Sequence, residues 1–425
     1  MMRVLAVSYM LPPMLYPQAI QIGRLMAHMS AETGAVSGRS PVAGGGLDCY
    51  GELDDRLAFH LEIPYRPVLS GLSLQLARRF LPLYGRMPDE FRAWVPRAER
   101  VIAAKLAQGT FQPDVLVTFG EPMSDHLLGF RLKRRFGIPW VAHFSDPWRD
   151  NPFRRRDVLA NVFNGRQERR VIAAADRVIF TSRETIDLVM RKYPAEWRAK
   201  TRLLQHSFDP ALYPDAAAPH QGFVIRHVGN FYGKRTPYPL FRALRMIHDR
   251  KPDLLDGVRF ELYGGMPRGF RWHPSFRALP PGLVDIRGTI GYRESLKVMK
   301  DADLLLVMDA PDDLSVFLPS KLIDYLGSGT PVMGIVPRGT SASLLARLGG
   351  FTADPRDPQD VATALLHAIT VARQRTARGV TRPWGHAAVR AEFEPRHNAA
   401  VLEEILRECV STVPKPVPAA VDSAG

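Results

Sequence analysis

Cysteine is almost missing from this sequence: Cys49 and Cys409 are the two in 425 residues, and neither belongs to a CxxC pair or a His/Cys cluster. That excludes a disulfide framework and a thiolate zinc site, and it suits a reducing compartment. Long apolar runs are missing as well, since nothing approaches the ~18 residues of a spanning helix. The apolar start MMRVLAVSYMLPPM meets Pro-Pro before a signal-peptide core is complete, so a cytoplasmic chain is expected. There is no repeat at solenoid or propeller period, which removes array architectures. No GxGxxG follows a strand pattern and GNFYGKR is one spacer short of GxxxxGK[ST], which weakens dehydrogenase and ATPase readings.

What remains is ordinary globular material, with hydrophobic residues at 46% and charged ones at 24%. The length favours two domains. The net charge of +14 implies an anionic partner: nucleic acid, a membrane surface or phosphorylated metabolites. Short β-type runs alternate with helix-period segments throughout. RVLAVSYM precedes a helix with Ile22, Leu25, Met26 and Met29 on one face, and DVLVTF, IPWVAHF and DRVIFTS continue the pattern. In the second half GFVIRHVG, VRFELYGG, LVDIRG, DLLLVMDA and PVMGIV are separated by helices such as PYPLFRALRMIHDR and YRESLKVMKDA. Such alternation predicts parallel sheets in βαβ units, with ligands at the carboxyl ends of the strands. The expected fold class is α/β, two doubly wound Rossmann-like domains facing a cleft. Their extents are read as 1–208 for the first and 222–385 for the second, with a Pro- and Ala-rich linker at 209–221. A C-terminal helix at 386–410, with Val401, Ile405 and Leu406 as its apolar stripe, is expected to cross back, followed by a disordered tail at 411–425. GAVSGRSPVAGGG reads as a flexible loop.

The stretch FLPSKLIDYLGSGTPV carries the chemistry. A helix starting at Pro319 and Ser320 has unpaired N–H groups and a partial positive charge at its first turn, where Lys321 costs about 0.3–1 kcal/mol if it only faces water. A solvated Lys321–Asp324 pair is the plain alternative. Because the helix follows the strand DLLLVMDA, its start points toward the cleft, and an N-terminal Ser-Lys there suits a diphosphate. Asp324, one turn on, is placed to accept from ribose hydroxyls.

With GIPWVAHFSDPW, HVGNFYGKR and VDIRGTIGYRESLKVMKDADLLLVM, this stretch resembles the GT-B glycosyltransferases, in particular retaining family-four enzymes that use nucleotide-sugar donors. The resemblance implies that Pro319, Ser320 and Lys321 meet the donor phosphates, that Asp324 holds the ribose, and that Gly229, Asn230 and Lys234 approach the diphosphate with Arg235 competing for Lys234's role. It departs from the family at Val316, where the first of two acids eight residues apart is expected; Asp312 or Asp313 is the substitute, unless APDDL is only a polar turn. On the acceptor side Asp146 and His143 are the candidate catalytic groups beside Lys234, and Trp148 with Tyr16 of the first βα loop the candidate acceptor contacts. No metal is expected, since the DAD at 301–303 precedes its strand, and no cofactor beyond a nucleoside diphosphate-sugar as co-substrate.

The basic runs RLKRRFG, FRRRD and GRQERR all fall in the first half. VLSGLSLQLARRFLPLYGRM puts Leu72, Leu76, Phe80, Leu83 and Tyr84 on one helical face, which suits an interfacial helix over 68–87 helped by Arg131, Lys133, Arg134, Arg135 and Arg154. The leading expectation is a metal-independent glycosyltransferase acting on a lipid-linked or polysaccharide-precursor acceptor in envelope or exopolysaccharide assembly, peripheral on the inner membrane face. The alternatives are a nucleotide-sugar epimerase of the same fold and a basic nucleic-acid-binding protein, although no nucleic-acid recognition signature is evident.

Overall fold

The computed structural model describes residues 1–39, 49–65, 76, 87–153 and 157–412. In the first half, β1 (Arg3–Val7), β2 (Glu32–Gly38), β3 (Phe59–Ile63), β4 (Val115–Gly120), β5 (Trp140–Phe144), β6 (Arg177–Phe180) and β7 (Thr201–Leu203) form one seven-stranded sheet in the order β3-β2-β1-β4-β5-β6-β7. In the second, β8 (Phe223–Val228), β9 (Val258–Tyr263), β10 (Val284–Gly288), β11 (Leu304–Met308), β12 (Val332–Ile335) and β13 (Phe351–Ala353) form a six-stranded sheet in the order β10-β9-β8-β11-β12-β13. All the pairings are parallel. The central strands β4, β5, β8 and β11 are buried along their whole length, as strands covered by helices on both faces must be. In both sheets the strand order reverses beside the first strand, between β1 and β4 and between β8 and β11, and those are the points where such sheets hold ligands.

The longer helices are α1 (Pro17–His28), α2 (Val95–Ala107), α3 (Ser124–Phe136), α4 (Val158–Ala174) and α5 (Arg183–Met190) in the first domain, and α6 (Tyr238–Arg250), α7 (Tyr292–Lys300), α8 (Ser320–Ser328), α9 (Thr340–Leu348) and α10 (Pro358–Ala377) in the second. The last helix, α11 (Pro395–Thr412), returns to the first domain. Its Leu402, Ile405, Leu406 and Cys409 share a core with Val4, Ile22 and Val115. Glu403 secures it by accepting from the backbone N–H of Ser30 at 2.5 Å and of Ala31 at 2.9 Å.

One sequence expectation needs correction. GAVSG at 34–38 is not loop but most of β2, and it is buried. A Cβ at Gly34 would lie 2.3 Å from the Phe59 ring, so the glycine admits a neighbouring aromatic and in doing so erases the strand's hydrophobic pattern. Residues 40–46 of that stretch, the segment at 68–87 except residues 76 and 87, Arg154, and residues 413–425 of the tail lie outside the described residues. Among the described residues no helix is long and apolar enough to cross a membrane.

The domains are joined by buried polar contacts. Arg24 of α1, fully buried, donates to Asp324 of α8 at 2.7 Å, and also to the Ser207 carbonyl and the Tyr292 hydroxyl. Ser182 and Thr185, at the start of α5, donate to the Val316 carbonyl at 2.6 and 2.9 Å. A buried ion pair is worth little against an apolar pair of the same volume, but removing one partner strands the other charge. Arg24→Met is therefore expected to destabilise the protein by about 3–5 kcal/mol, and adding Asp324→Leu to recover most of that loss. Denaturation midpoints of the single and double variants check this, and equal losses in the two would show that the pair is uncoupled.

Candidate active site

The site is built where β8 ends and α8 begins. Tyr325, fully buried one turn into α8, fastens the two elements: its hydroxyl accepts from the Val228 N–H at 2.7 Å and lies 3.1 Å from the Val228 carbonyl, to which it donates. The start of α8 is thereby held against the carboxyl end of β8. Pro319 occupies the cap position, the helix has no side-chain cap, and its first turn holds no acid. Its free N–H groups and Lys321 thus face an anion-deficient spot.

The Lys321 ammonium is buried and has no hydrogen-bond partner among the described residues. Burial, with Arg235 nearby, pulls its pKa down to about 7. Gly229, immediately after β8, makes the room for it. A Cβ there would stand 2.7 Å from Lys321 Nζ, and the backbone at φ 149° is one that glycine adopts without strain. Beneath the glycine, the buried His227 ring contacts the Gly229 carbonyl at 3.2 Å and the Leu306 carbonyl at 2.9 Å. Burial and Lys321 keep that ring neutral, well below its ordinary pKa.

Between the two rival cations of HVGNFYGKR, the structure brings Arg235 toward Lys321 and leaves Lys234 on the surface. Arg235 is buried and bound to Asp309 at 2.6 and 3.0 Å. Asp309 also accepts from Ser315 Oγ at 2.6 Å and from the Ala310 N–H at 2.8 Å, so its carboxylate stays below the usual range in spite of burial. Lys234 pairs with Asp312 at 2.7 Å, and its side chain is 67% exposed. Asp313 pairs with Arg356 at 2.6 Å. Asp312 and Asp313 are thus both engaged by cations at the surface. Val316 itself is buried, and its carbonyl is where the first domain docks. The exposed Asn230 accepts from the Gly265 N–H at 2.7 Å and so shapes the same loop.

Asp324 lies one turn below Lys321 but is 7% exposed, with its Oδ1 taken by Arg24 and lying 3.3 Å from the Tyr292 hydroxyl. The placement on α8 is as read from the sequence, while the carboxylate's partner comes from the other domain. No local pattern marks Asp309 as the partner of Arg235, nor Phe153. That first-domain ring stacks on Phe317 at 5.0 Å and lies 5.5 Å from the Arg235 guanidinium, so it roofs the site from across the domain boundary.

On the acceptor side, Tyr16 precedes α1 and is 45% exposed. Burial of its phenol raises its pKa, and Glu121, Glu90, Asp146 and the second domain's Tyr232 add to the rise. His143 is buried within β5, where desolvation and His206 bring its pKa down to about 3, so it stays a neutral imidazole at ordinary pH. Trp148 is a correction: it is fully buried and its indole donates to Asn164 at 3.1 Å, so the ring fills the domain core and offers no face to an acceptor. The DAD acids cap backbone instead. Asp301 accepts from the Ala218 N–H at 2.6 Å and Asp303 from the Val224 N–H at 2.7 Å. Among the described residues no group of three or more His, Cys, Asp or Glu is placed to hold a metal ion.

The crowding at Gly229 is testable. Gly229→Ala should displace the Lys321 ammonium and weaken nucleoside diphosphate binding by about ten- to hundredfold, the worth of one charge-assisted hydrogen bond. Calorimetric titration measures it, and unchanged affinity would show that an anion does not sit there.

Residues 44–205 match the glycosyl transferase 4-like domain. Among characterised proteins, the chain is similar to D-inositol 3-phosphate glycosyltransferase of Salinispora tropica, at 23% identity over 286 residues that cover 60% of this chain and 57% of that protein. The match thus spans little more than half the relative's length. In structure it is similar to sucrose-phosphate synthase of Thermosynechococcus elongatus, with TM-score 0.67 and 16% identity over 97% of this chain and all of the other. It is also similar to Anabaena HepE in complex with UDP and glucose, with TM-score 0.62 and 16% identity over 96% of this chain and all of the other. Two facing parallel-sheet domains, a terminal helix that crosses back, and these likenesses together establish a GT-B glycosyltransferase fold whose first half carries a glycosyl transferase 4-like domain.

Proposed function

We propose that the protein is a glycosyltransferase that binds a nucleoside diphosphate-sugar between its domains and transfers the sugar, with retention, to a lipid-linked or polysaccharide-precursor hydroxyl. The observation that carries this reading is the Lys321 ammonium, buried against Gly229 at an uncapped helix start with no hydrogen-bond partner among the described residues. A donor diphosphate would supply the missing anion, take hydrogen bonds from the first N–H groups of α8, and gain the field of Arg235. As the bond from the sugar's anomeric carbon to the diphosphate breaks, these groups stabilise the charge left on the phosphate. The acceptor oxygen forms the new bond on the same face and its proton passes to the departing phosphate, so a strong protein base is not required. Tyr16 and Asp146 would orient that hydroxyl. Asp324 would hold the ribose by sharing the carboxylate that Arg24 now occupies. UDP in the HepE structure makes a uridine donor the first to try. The similar proteins are transferases and synthases, which favours transfer over epimerisation.

The direct experiment is a panel of nucleotide-sugars read by release of nucleoside diphosphate, with and without a lipid-linked acceptor. Turnover is expected with at least one donor and is expected to survive exhaustive chelation, because cationic groups replace a metal at the diphosphate. No turnover across the panel, or turnover restored only by a divalent ion, counts against the proposal or its metal independence respectively.

The depressed lysine pKa predicts a pH signature. The bound diphosphate favours the charged ammonium, so binding near and above pH 7 takes up a proton and affinity falls as pH rises. In the unliganded protein the sign is the reverse. The unfolded lysine keeps its proton up to about 10.5 while the folded one loses it near 7, so stability rises with pH across that window. Lys321→Met should abolish the proton uptake, flatten that slope and cost most of the nucleotide affinity. Titration calorimetry in two buffers of different ionisation enthalpy reads the first, and melting against pH the second.

A further inference from the structure

The first domain holds a groove of about 1150 Å³ between α2, α3 and α4. Its α3 wall is a single helical stripe, Leu127, Phe130, Arg131, Arg134 and Arg135, at spacings of three and four. Its α4 wall is Phe163, Gln167 and Arg170. One turn back along that stripe comes Leu159, which is 65% exposed, flanked by Val158 at 76% and Val162 at 46%. Three bare aliphatic side chains at the end of a strongly basic groove are not explained by core packing or by the transfer chemistry.

The acids in the lining do not neutralise it. Glu99 takes Arg131 at 2.9 Å and Arg135 at 3.8 Å. Asp89 faces inward, accepting from Ser124 Oγ at 2.6 Å and from the Phe91 N–H at 3.0 Å. Glu90 is engaged within the protein. Arg92, Arg134 and Arg170 lie over aromatic rings, Arg92 at 5.0 Å from Phe163 and the other two at 5.7 and 5.1 Å from Phe130. Among the described residues, neither Arg134 nor Arg170 has a carboxylate partner. The rings hold the guanidiniums on their faces, so they are not open platforms for stacking bases, and the exposed apolar groups are aliphatic. Cations beside protruding aliphatic side chains match the two layers of a bilayer surface, phosphates outside and acyl chains below.

We infer that this groove and the Val158, Leu159 and Val162 edge beside it dock the first domain onto an anionic phospholipid bilayer. The guanidiniums hold lipid phosphates and the aliphatic edge enters the headgroup boundary. Since α4 starts just beyond Phe153, the ring that roofs the donor site, docking would bring the cleft close to the membrane plane. The inference deepens the reading of a membrane-borne acceptor, yet its test reads partitioning alone and stands whether or not transfer is found.

The experiment is co-sedimentation of the full-length protein with vesicles of phosphatidylcholine containing about a third phosphatidylglycerol, against pure phosphatidylcholine, at low and high salt. Partitioning to the anionic vesicles is expected, weakened by salt because screening shortens the charge attraction. It should fall about tenfold or more in Arg131→Glu/Arg134→Glu/Arg170→Glu, and the part that resists high salt should be lost in Leu159→Glu/Val162→Glu. Melting temperature and nucleoside diphosphate binding should match the parent, and the milder Arg→Gln triple replaces the first variant if it fails to fold. Absent partitioning at low salt, equal partitioning to neutral vesicles, or partitioning untouched by these substitutions overturns the inference. So does arginine-dependent binding of a single-stranded oligonucleotide with none to vesicles.

Discussion

A desolvated ammonium with no hydrogen-bond partner among the described residues is the constraint around which the second domain's site is arranged. Taking a charge out of water without a partner costs several kcal/mol, and a chain under pressure only for stability would lose it. Here the surroundings hold it in place. Gly229 gives up its side chain to make room, Tyr325 fixes the helix start against β8, and Arg235, the next cation, is itself matched by Asp309. One positive charge therefore remains uncompensated, at a helix start that adds to its field. The partial loss of its proton is how the unliganded protein limits the cost.

The helix carrying that charge also carries the contact between domains. Asp324 on α8 meets Arg24 on α1, and the Val316 carbonyl just ahead of α8 takes the hydroxyls of Ser182 and Thr185. Whatever occupies the donor site thus touches the element that sets the domain arrangement, and a ribose that reached Asp324 would compete with Arg24 for one carboxylate. Val316 fits the same frame: a buried aliphatic side chain with an accepting carbonyl builds an interface.

The excess of basic residues divides by environment. Near the cleft the cations are few and buried: Arg24 and Arg235 are fixed by acids and Lys321 is left open. In the groove between α2, α3 and α4 they are numerous, exposed and set over rings. A small buried charge selects a ligand by geometry, whereas an extended exposed set attracts by field and yields to salt.

Much of this was legible in the sequence, and for definite reasons. The strands covered on both faces write themselves as apolar runs, so β1, β4, β5, β6 and most of the second sheet could be read directly, and with them two doubly wound domains and a terminal helix returning to the first. Lys321 in the first turn of α8 was legible because it breaks a local electrostatic rule. What the chain could not disclose were partners far apart in sequence. The short edge strands β3, β7 and β13 and the glycine-bearing β2 carry little pattern of their own and form by pairing. His143 lies within β5 and Trp148 just after it, and both are buried by packing that the local sequence does not record, since β5 is covered along its whole length. Asp324 meeting Arg24, Arg235 meeting Asp309, and Phe153 reaching across to Phe317 are decided only when the two sheets come together, because contact between distant residues is a property of packing that no local spacing records.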